Sequence, residues 1–325
     1  MSNIDVNVLA QGAPRVCFVT LGCAKNEVDT AEMTKRLTAA GYEVCDDAST
    51  ADVVVVNTCS FIQAATEESL EAIFEVCDLP NFIEGPAKLV VAGCMPARYG
   101  DDLASELGEA QAFVPCSKED DIVEVLAGVL GDAAPHASTS ADAQSPWAAS
   151  PASYVKISDG CDRFCSFCAI PYIRGRYHSF PLETVRASVA ERVEAGVREI
   201  TLIAQDTGRW GEDFAEPSNT AALLATLADE FPQTWFRLMY IEPQGVSDEL
   251  LDVIASKPNV CKYLDMPLQH ASKPVLRAMN RRGDENSHRE LVARIRERVP
   301  GITLRTTLIA GFPGETDVDF DALQN

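Results

Sequence analysis

Four consecutive valines, Val53–Val56, run straight into Asn57-Thr58-Cys59. A strand with no polar position has no face to offer water, so both of its sides must be covered. A parallel sheet sandwiched between helices provides that place. The flanking sequence has the matching alternation. Short apolar runs at 15–20, 42–45, 53–56, 88–92 and 112–114 read as strands. Between and after them, 26–40, 63–77, 97–107 and 119–130 read as helices, the first capped near Asn26 and stopped by Gly41. This predicts a doubly wound α/β domain over residues 1–131.

Cys23, Cys59 and Cys94 each follow one of these strands directly. In the flavodoxin-like order 2-1-3-4-5, the first, third and fourth strands are neighbours. Their carboxyl ends line the edge where ligands of such sheets bind. Three thiols far apart in sequence would then converge through topology. The alternative is that they only pack, as Cys17 and Cys45 are expected to do. Cys116 also follows a strand, and Cys77, within a helix, reads as core. No Gly-x-Gly-x-x-Gly follows the first strand, so a dinucleotide site is unsupported.

Residues 132–153 are rich in Ala, Ser and Pro and read as a linker. A second alternation follows over 154–325. Strands are expected at 154–158, 199–204, 235–241, 261–266 and 302–309, with helices at 182–195, 220–230, 247–256, 273–279 and 287–299. Five strand–helix units describe a partial β/α, TIM-like barrel, incomplete at its C-terminus. Functional groups of such barrels sit at the carboxyl ends of the strands. Gln205, Asp206, Glu242, Gln269 and His270 fall there and suit a ligand with an amino-acid head, a ribose and a base. Each also has a plainer reading as a capping, turn or loop residue.

The loop after the first barrel strand is Cys161-Asp162-Arg163-Phe164-Cys165-Ser166-Phe167-Cys168. Three thiols in so short a loop can share one small inorganic cluster. Structural zinc takes four ligands, and the next cysteine, Cys261, is remote. An iron–sulfur cluster on three cysteines keeps one iron open to a small molecule. The chain has no signal-peptide pattern and no run of eighteen apolar residues, which predicts a cytoplasmic protein. Its 11 cysteines then argue for metal or redox use over disulfides. A net charge of −22 disfavours direct nucleic-acid binding and favours a basic protein partner, although it also serves plain solubility.

With Phe167 before its last cysteine, the CxxxCxxC loop resembles the signature of the radical S-adenosylmethionine (SAM) enzymes. That resemblance implies a 4Fe–4S cluster on Cys161, Cys165 and Cys168 with SAM on its open iron. Gln205, Asp206, Glu242, Gln269 and Phe167 are then the candidate SAM contacts. The Gly311-Phe312-Pro313-Gly314-Glu315 turn looks like one that packs near the adenine. Leu21–Asn26, Asn57-Thr58-Cys59 and Ala92-Gly93-Cys94 resemble the cluster motifs of the methylthiotransferase family, which implies a second 4Fe–4S cluster on Cys23, Cys59 and Cys94. It also implies a last barrel strand and a small C-terminal TRAM domain beyond Asn325.

Three stretches separate the two branches of that family. Gly22-Cys23-Ala24-Lys25-Asn26, Gln205-Asp206-Thr207 and Gln269-His270-Ala271-Ser272 are similar to the branch acting on an aspartate of small-subunit ribosomal protein twelve. The other branch acts on isopentenyl-adenosine in transfer RNA. The resemblance implies radical hydrogen abstraction at the aspartate β-carbon, methylthio transfer from the second cluster, and an electron donor. No acid or base is assigned. A non-catalytic iron–sulfur sensor or scaffold, or a zinc protein, are the readings from other classes.

Overall fold

The structure is a computed structural model, and it describes residues 12–135, 146–147 and 150–324. The chain divides into two compact units, Met1–Pro146 and Trp147–Asn325. Most of the expected 132–153 linker, namely 136–145, 148 and 149, lies outside the described residues.

The first unit runs β1 (Arg15–Thr20), α1 (Ala24–Ala39), β2 (Glu43–Cys45), β3 (Val53–Thr58), α2 (Gln63–Cys77), a single turn α3 (Pro80–Ile83), β4 (Lys88–Gly93), α4 (Cys94–Glu106), β5 (Ala112–Pro115) and α5 (Ile122–Leu130). Its sheet is parallel, in the order β2-β1-β3-β4-β5. All four valines of β3 are fully buried. Their alternation serves both layers: Val53 and Val55 join Met33, Leu37 and Leu126 on one face. Val54 and Val56 join Ile73, Val91 and Met95 on the other.

The second unit runs β6 (Ala152–Lys156), β7 (Ser158–Asp159), α6 (Ile170–Ile173), β8 (His178–Ser179), α7 (Leu182–Glu194), β9 (Glu199–Ile203), α8 (Thr220–Glu230), β10 (Trp235–Leu238), α9 (Asp248–Ser256), β11 (Val260–Asp265), α10 (Lys273–Ala278), α11 (Glu285–Arg298), β12 (Thr303–Arg305) and α12 (Asp317–Gln324). Five strands form a second parallel sheet in sequence order, β6-β9-β10-β11-β12. Sequence order is the progression of a β/α barrel, in contrast to the reversal at β1 in the first unit.

Several boundaries differ from expectation for local reasons. β6 begins at Ala152, two residues early. The fifth strand is only Thr303–Arg305: the Met266 N–H still reaches the Arg305 carbonyl at 2.9 Å, but the Leu268 N–H turns to the Thr306 hydroxyl at 3.1 Å and the regular ladder ends. Beyond it, a single bridge joins Gln269 and Leu308. The last helix of the first unit starts as a 3₁₀ turn over Glu119–Asp121. Cys77 ends α2 and is half-buried, packed on the edge of the core rather than within it. Among the described residues, no helix is long and apolar enough to cross a membrane.

Candidate metal centres

Cys23, Cys59 and Cys94 stand just past β1, at the end of β3 and at the first residue of α4. Their convergence is visible through Asn26. Asn26 is not the cap of α1: Cys23 takes that place, and Asn26 is buried one turn inside. The helix starts early because Gly22, at φ +94°, turns the chain immediately after Leu21. The Asn26 amide donates to the Leu21 and Thr58 carbonyls, both at 2.9 Å. Its Oδ1 faces the Cys23 and Cys94 thiols at 4.0 and 3.9 Å. Cys59 packs on Gly22, where a Cβ would stand 2.6 Å from its own Cβ and 3.0 Å from its Sγ. The Cys59 backbone is fixed by buried Ser69, whose hydroxyl accepts from its N–H at 3.0 Å and donates to its carbonyl at 2.8 Å. Gly93 repeats the device at φ +92°, since any Cβ there would collide with Asn57 and Thr58.

Cys116 is the neighbour of this set, its N–H donating to the Gly93 carbonyl at 3.1 Å. Cys17 and Cys45 face each other in register on β1 and β2, away from this edge. Burial, with Cys45, Asp46 and Asp47 nearby, pushes the Cys17 thiol up to about 11, as expected of a packing cysteine.

In the second unit, Cys161 and Cys165 are buried, while Cys168 and Phe167 are half-buried. The loop folds back on itself through the Cys168 N–H, which donates to the Cys165 carbonyl at 2.9 Å. The short β7–β8 hairpin anchors its start, and the Cys161 N–H donates to the Gly175 carbonyl at 3.1 Å. The turn after α10 clamps its middle. The Ser166 N–H reaches the Met279 carbonyl at 3.1 Å, and the Asn280 amide donates to the carbonyls of Arg163 and Phe164, both at 3.1 Å. Burial pushes the Cys161 thiol up to about 11, with Asp206, Cys168 and Cys165 adding to the rise. Cys168 moves the same way, chiefly by burial. Burial keeps these thiols protonated, and the positive charge of a bound metal would draw off their protons.

Among the described residues, no three His, Cys, Asp or Glu side chains close on a single metal ion. A polynuclear iron–sulfur cluster holds its thiolates on separate irons, farther apart than around one ion.

Around the loop, the strand-end residues form ion pairs. Arg163, inside the cysteine loop, clasps fully buried Asp206 through Nε at 2.9 Å and Nη2 at 2.7 Å. Arg281 pairs with buried Glu242, its Nη1 lying 2.7 Å from Oε1 and 3.7 Å from the Cys165 sulfur. Burial pushes the Glu242 carboxyl up to about 7; Arg281 and Arg163 pull it down, while Asp206 adds to the rise. Gln205 donates to Asp159 at 2.7 Å. Asp159 stays below the usual carboxylate range despite its burial, because Lys156 and Arg174 flank it. Gln269, at φ +68°, accepts from the Ile309 N–H at 2.7 Å. His270 is fully buried; its Nδ1 accepts from the Ser272 N–H at 2.9 Å, which leaves the Nε2 proton facing Glu315 at 3.5 Å. Gln205 Oε1 and Asp206 Oδ1 are buried acceptors with no partner among the described residues. The ammonium and ribose hydroxyls of an amino-acid nucleoside are donors of the kind they lack.

Sequence reasoning missed Asn26 as a hub, and missed Ser69, Asn280, Arg163 and Arg281. Arg163 and Asn26 had a usable signal, each lying within three residues of a candidate cysteine. Arg281 and Ser69 had none, since their proximity is created only by the fold.

Residues 15–115 match the model described as "Uncharacterized protein family UPF0004", and residues 155–325 match the Radical SAM superfamily. A ribosomal protein uS12 methylthiotransferase RimO of Trichlorobacter lovleyi is 44% identical over 94% of this chain and 70% of its own length. That of Geobacter sulfurreducens is 42% identical over 97% of this chain and 72% of its own. Among solved structures, the radical SAM methyltransferase TsrM of Kitasatospora setae superposes with a TM-score of 0.65. It is 16% identical, over 96% of this chain and 70% of TsrM. The cobalamin-dependent SAM radical enzyme OxsB gives 0.63, at 12% identity over 96% of this chain and 52% of OxsB. At such identities the structures speak for the fold. The sequence relatives go further: the chain belongs to the radical SAM superfamily and, within it, to the family of the ribosomal protein uS12 methylthiotransferases.

Proposed function

We propose that this chain transfers a methylthio group to the β-carbon of an aspartate in ribosomal protein uS12. The observation that carries the reading is the presence of two three-cysteine sets, one at the strand ends of each parallel sheet, in a chain 44% identical to a curated enzyme of that name. The arrangement favours catalysis over a sensor. A sensor needs the thiols but has no use for the orphaned acceptors of Gln205 and Asp206 at the second sheet.

In this reading, residues 1–131 carry the auxiliary 4Fe–4S cluster on Cys23, Cys59 and Cys94, and 132–153 link them to the radical SAM domain, 154–325. Cys161, Cys165 and Cys168 hold the second cluster, with Phe167, Gln205, Asp206, Glu242 and Gln269 around SAM. When bound, these groups supply a one-electron cleavage of SAM, a radical able to take hydrogen from an unactivated carbon, and the sulfur. The protein's own residues do the rest. The Asn280 clamp holds the cysteine loop in one shape. Arg163 and Arg281 offset the buried charges of Asp206 and Glu242 beside it. The electron comes from an electron donor, and the setting is cytoplasmic.

The test is mass spectrometry of uS12 from cells lacking the gene, and from the same cells complemented with wild type or Cys161→Ala. Loss of methylthio-aspartate in the first, restored only by wild type, is expected. Retention of the modification in the deletion strain overturns the reading. A methylthio group lost from transfer RNA adenosine instead assigns the chain to the other branch.

A further inference from the structure

A cavity of about 400 Å³ opens beside the cysteine loop, lined by Asp162, Arg163, Arg209, Gln244, Asn280, Arg281 and Arg282. Four arginines on one cavity are unexpected in a chain of net charge −22. Their pairing, however, is nearly complete. Arg163 is matched by Asp206, Arg281 by Glu242, and Arg209 by Glu212 at 2.9 Å. The lining acid, Asp162, is matched by Arg176 at 3.3 Å. Arg282 alone makes no ion pair with the described residues and is exposed in the cavity. The cavity therefore carries one uncompensated positive charge. It lies at the carboxyl ends of β6, β9, β10 and β11, where a barrel presents its substrate.

We infer that this cavity takes one carboxylate, the side chain of the target aspartate, and that Arg282 is its specificity residue. The inference rests on the proposed function. An aspartate within a protein chain brings a single negative charge, and the guanidinium fork matches a carboxylate in both charge and planarity. SAM also has a carboxylate, but the acceptor left for its α-ammonium, Asp206 Oδ1, is buried and does not line this cavity. The cavity's own acid, Asp162, is taken by Arg176. Arg209 supports Arg282 from the side: Nε is used by Glu212, and its guanidinium stacks over Tyr177 at 4.6 Å. Among the described residues Arg282 makes no hydrogen bond or ion pair with the thiols or the buried pairs, so replacing it leaves those bonds in place.

The experiment uses the cluster-loaded chain and two peptides spanning the target loop of the ribosomal protein, one with aspartate and one with asparagine at the target. Dissociation constants are read by fluorescence anisotropy, and SAM affinity by equilibrium dialysis. Wild type is expected to prefer the aspartate peptide by about tenfold, the worth of a charge-assisted hydrogen-bonded pair. Arg282→Gln should bring the two peptides within about twofold, Arg282→Lys should keep part of the preference, and SAM affinity should be unchanged. An undiminished preference in Arg282→Gln overturns the inference, as does a parallel loss of SAM affinity, which would place the cofactor's carboxylate there. Failure of the parent reading looks different: wild type would then leave uS12 without methylthio-aspartate.

Discussion

Cys161, Cys165 and Cys168 share one eight-residue loop, whereas Cys23, Cys59 and Cys94 come from three strands with helices between them. The two sets also sit in different electrostatic surroundings. Around the loop the neighbours are charged: Arg163 with Asp206, Arg281 with Glu242, and Asp159 between Lys156 and Arg174. Around the strand-end set the named bonds to backbone come mainly from neutral side chains, Asn26, Asn57, Thr58 and Ser69, with Arg98 donating to the Ser60 carbonyl. The contrast has a physical basis. A local loop brings its own thiols together but leaves its backbone to be tied down by whatever surrounds it. A set made by sheet topology already has its backbone fixed in the ladder, and needs only its turns to be tight. Gly22, Gly93 and the Asn26 amide supply that tightness.

The comparison is tested most severely by removing the thiols. Cys165→Ala and Cys59→Ala should each abolish methylthio transfer, and each should lower bound iron and sulfide to about half. Cys165→Ala should also stop formation of 5′-deoxyadenosine from SAM, while Cys59→Ala leaves it running. If Cys59→Ala stopped SAM cleavage as well, the division of labour between the sets would be lost.

A smaller effect is expected at Arg281. Replacing it with Met leaves Glu242 buried without its partner, at a cost of about 3–5 kcal/mol in urea unfolding. The sign of the pH dependence follows from the carboxyl. Burial already raises Glu242 to about 7, and losing Arg281 removes the influence that lowers it. A raised folded pKa favours the folded state at low pH, and that contribution disappears as pH rises through it. The deficit of Arg281→Met should therefore be largest above pH 7 and shrink toward pH 5. A deficit independent of pH would mean that packing, rather than charge, is what Arg281 supplies.

The neutral site predicts the opposite behaviour. Asn26→Ala removes donors to the Leu21 and Thr58 carbonyls, and unfolding should become easier by about 2–3 kcal/mol. Both donated bonds end on backbone carbonyls, which do not titrate, so the loss should be the same at pH 5 and pH 7. A pH-dependent loss would erase the distinction drawn between the two environments.

Much of this fold is legible in the order of its amino acids. The valine run, the helix at 63–77 and the alternation around them lead to a five-stranded parallel sheet, and the flavodoxin-like order, which the sequence supports only as a condition, is the observed one. The helix expected at 220–230 matches the observed one residue for residue. Strand ends in the second unit are less legible. β10 stops at Leu238 rather than Ile241, with Tyr240 at φ +62°, and apolar composition continues past the point where pairing ends. The hairpin of Ser158–Asp159 with His178–Ser179 leaves no trace in the sequence pattern, because two residues on each side carry no periodicity.

The residue types and local spacing determined the two α/β units, the CxxxCxxC loop and the placement of three further cysteines after strands. These follow from burial and chain connectivity, which act over a few residues. Only the tertiary structure decided that Asn26 lies against both Cys23 and Cys94, that Arg281 reaches Cys165 from the turn after α10, and that Arg282 makes no ion pair with the described residues. Such contacts join residues whose separation in sequence bears no relation to their distance in space. Their electrostatic weight depends on a burial that exists only once the chain has folded.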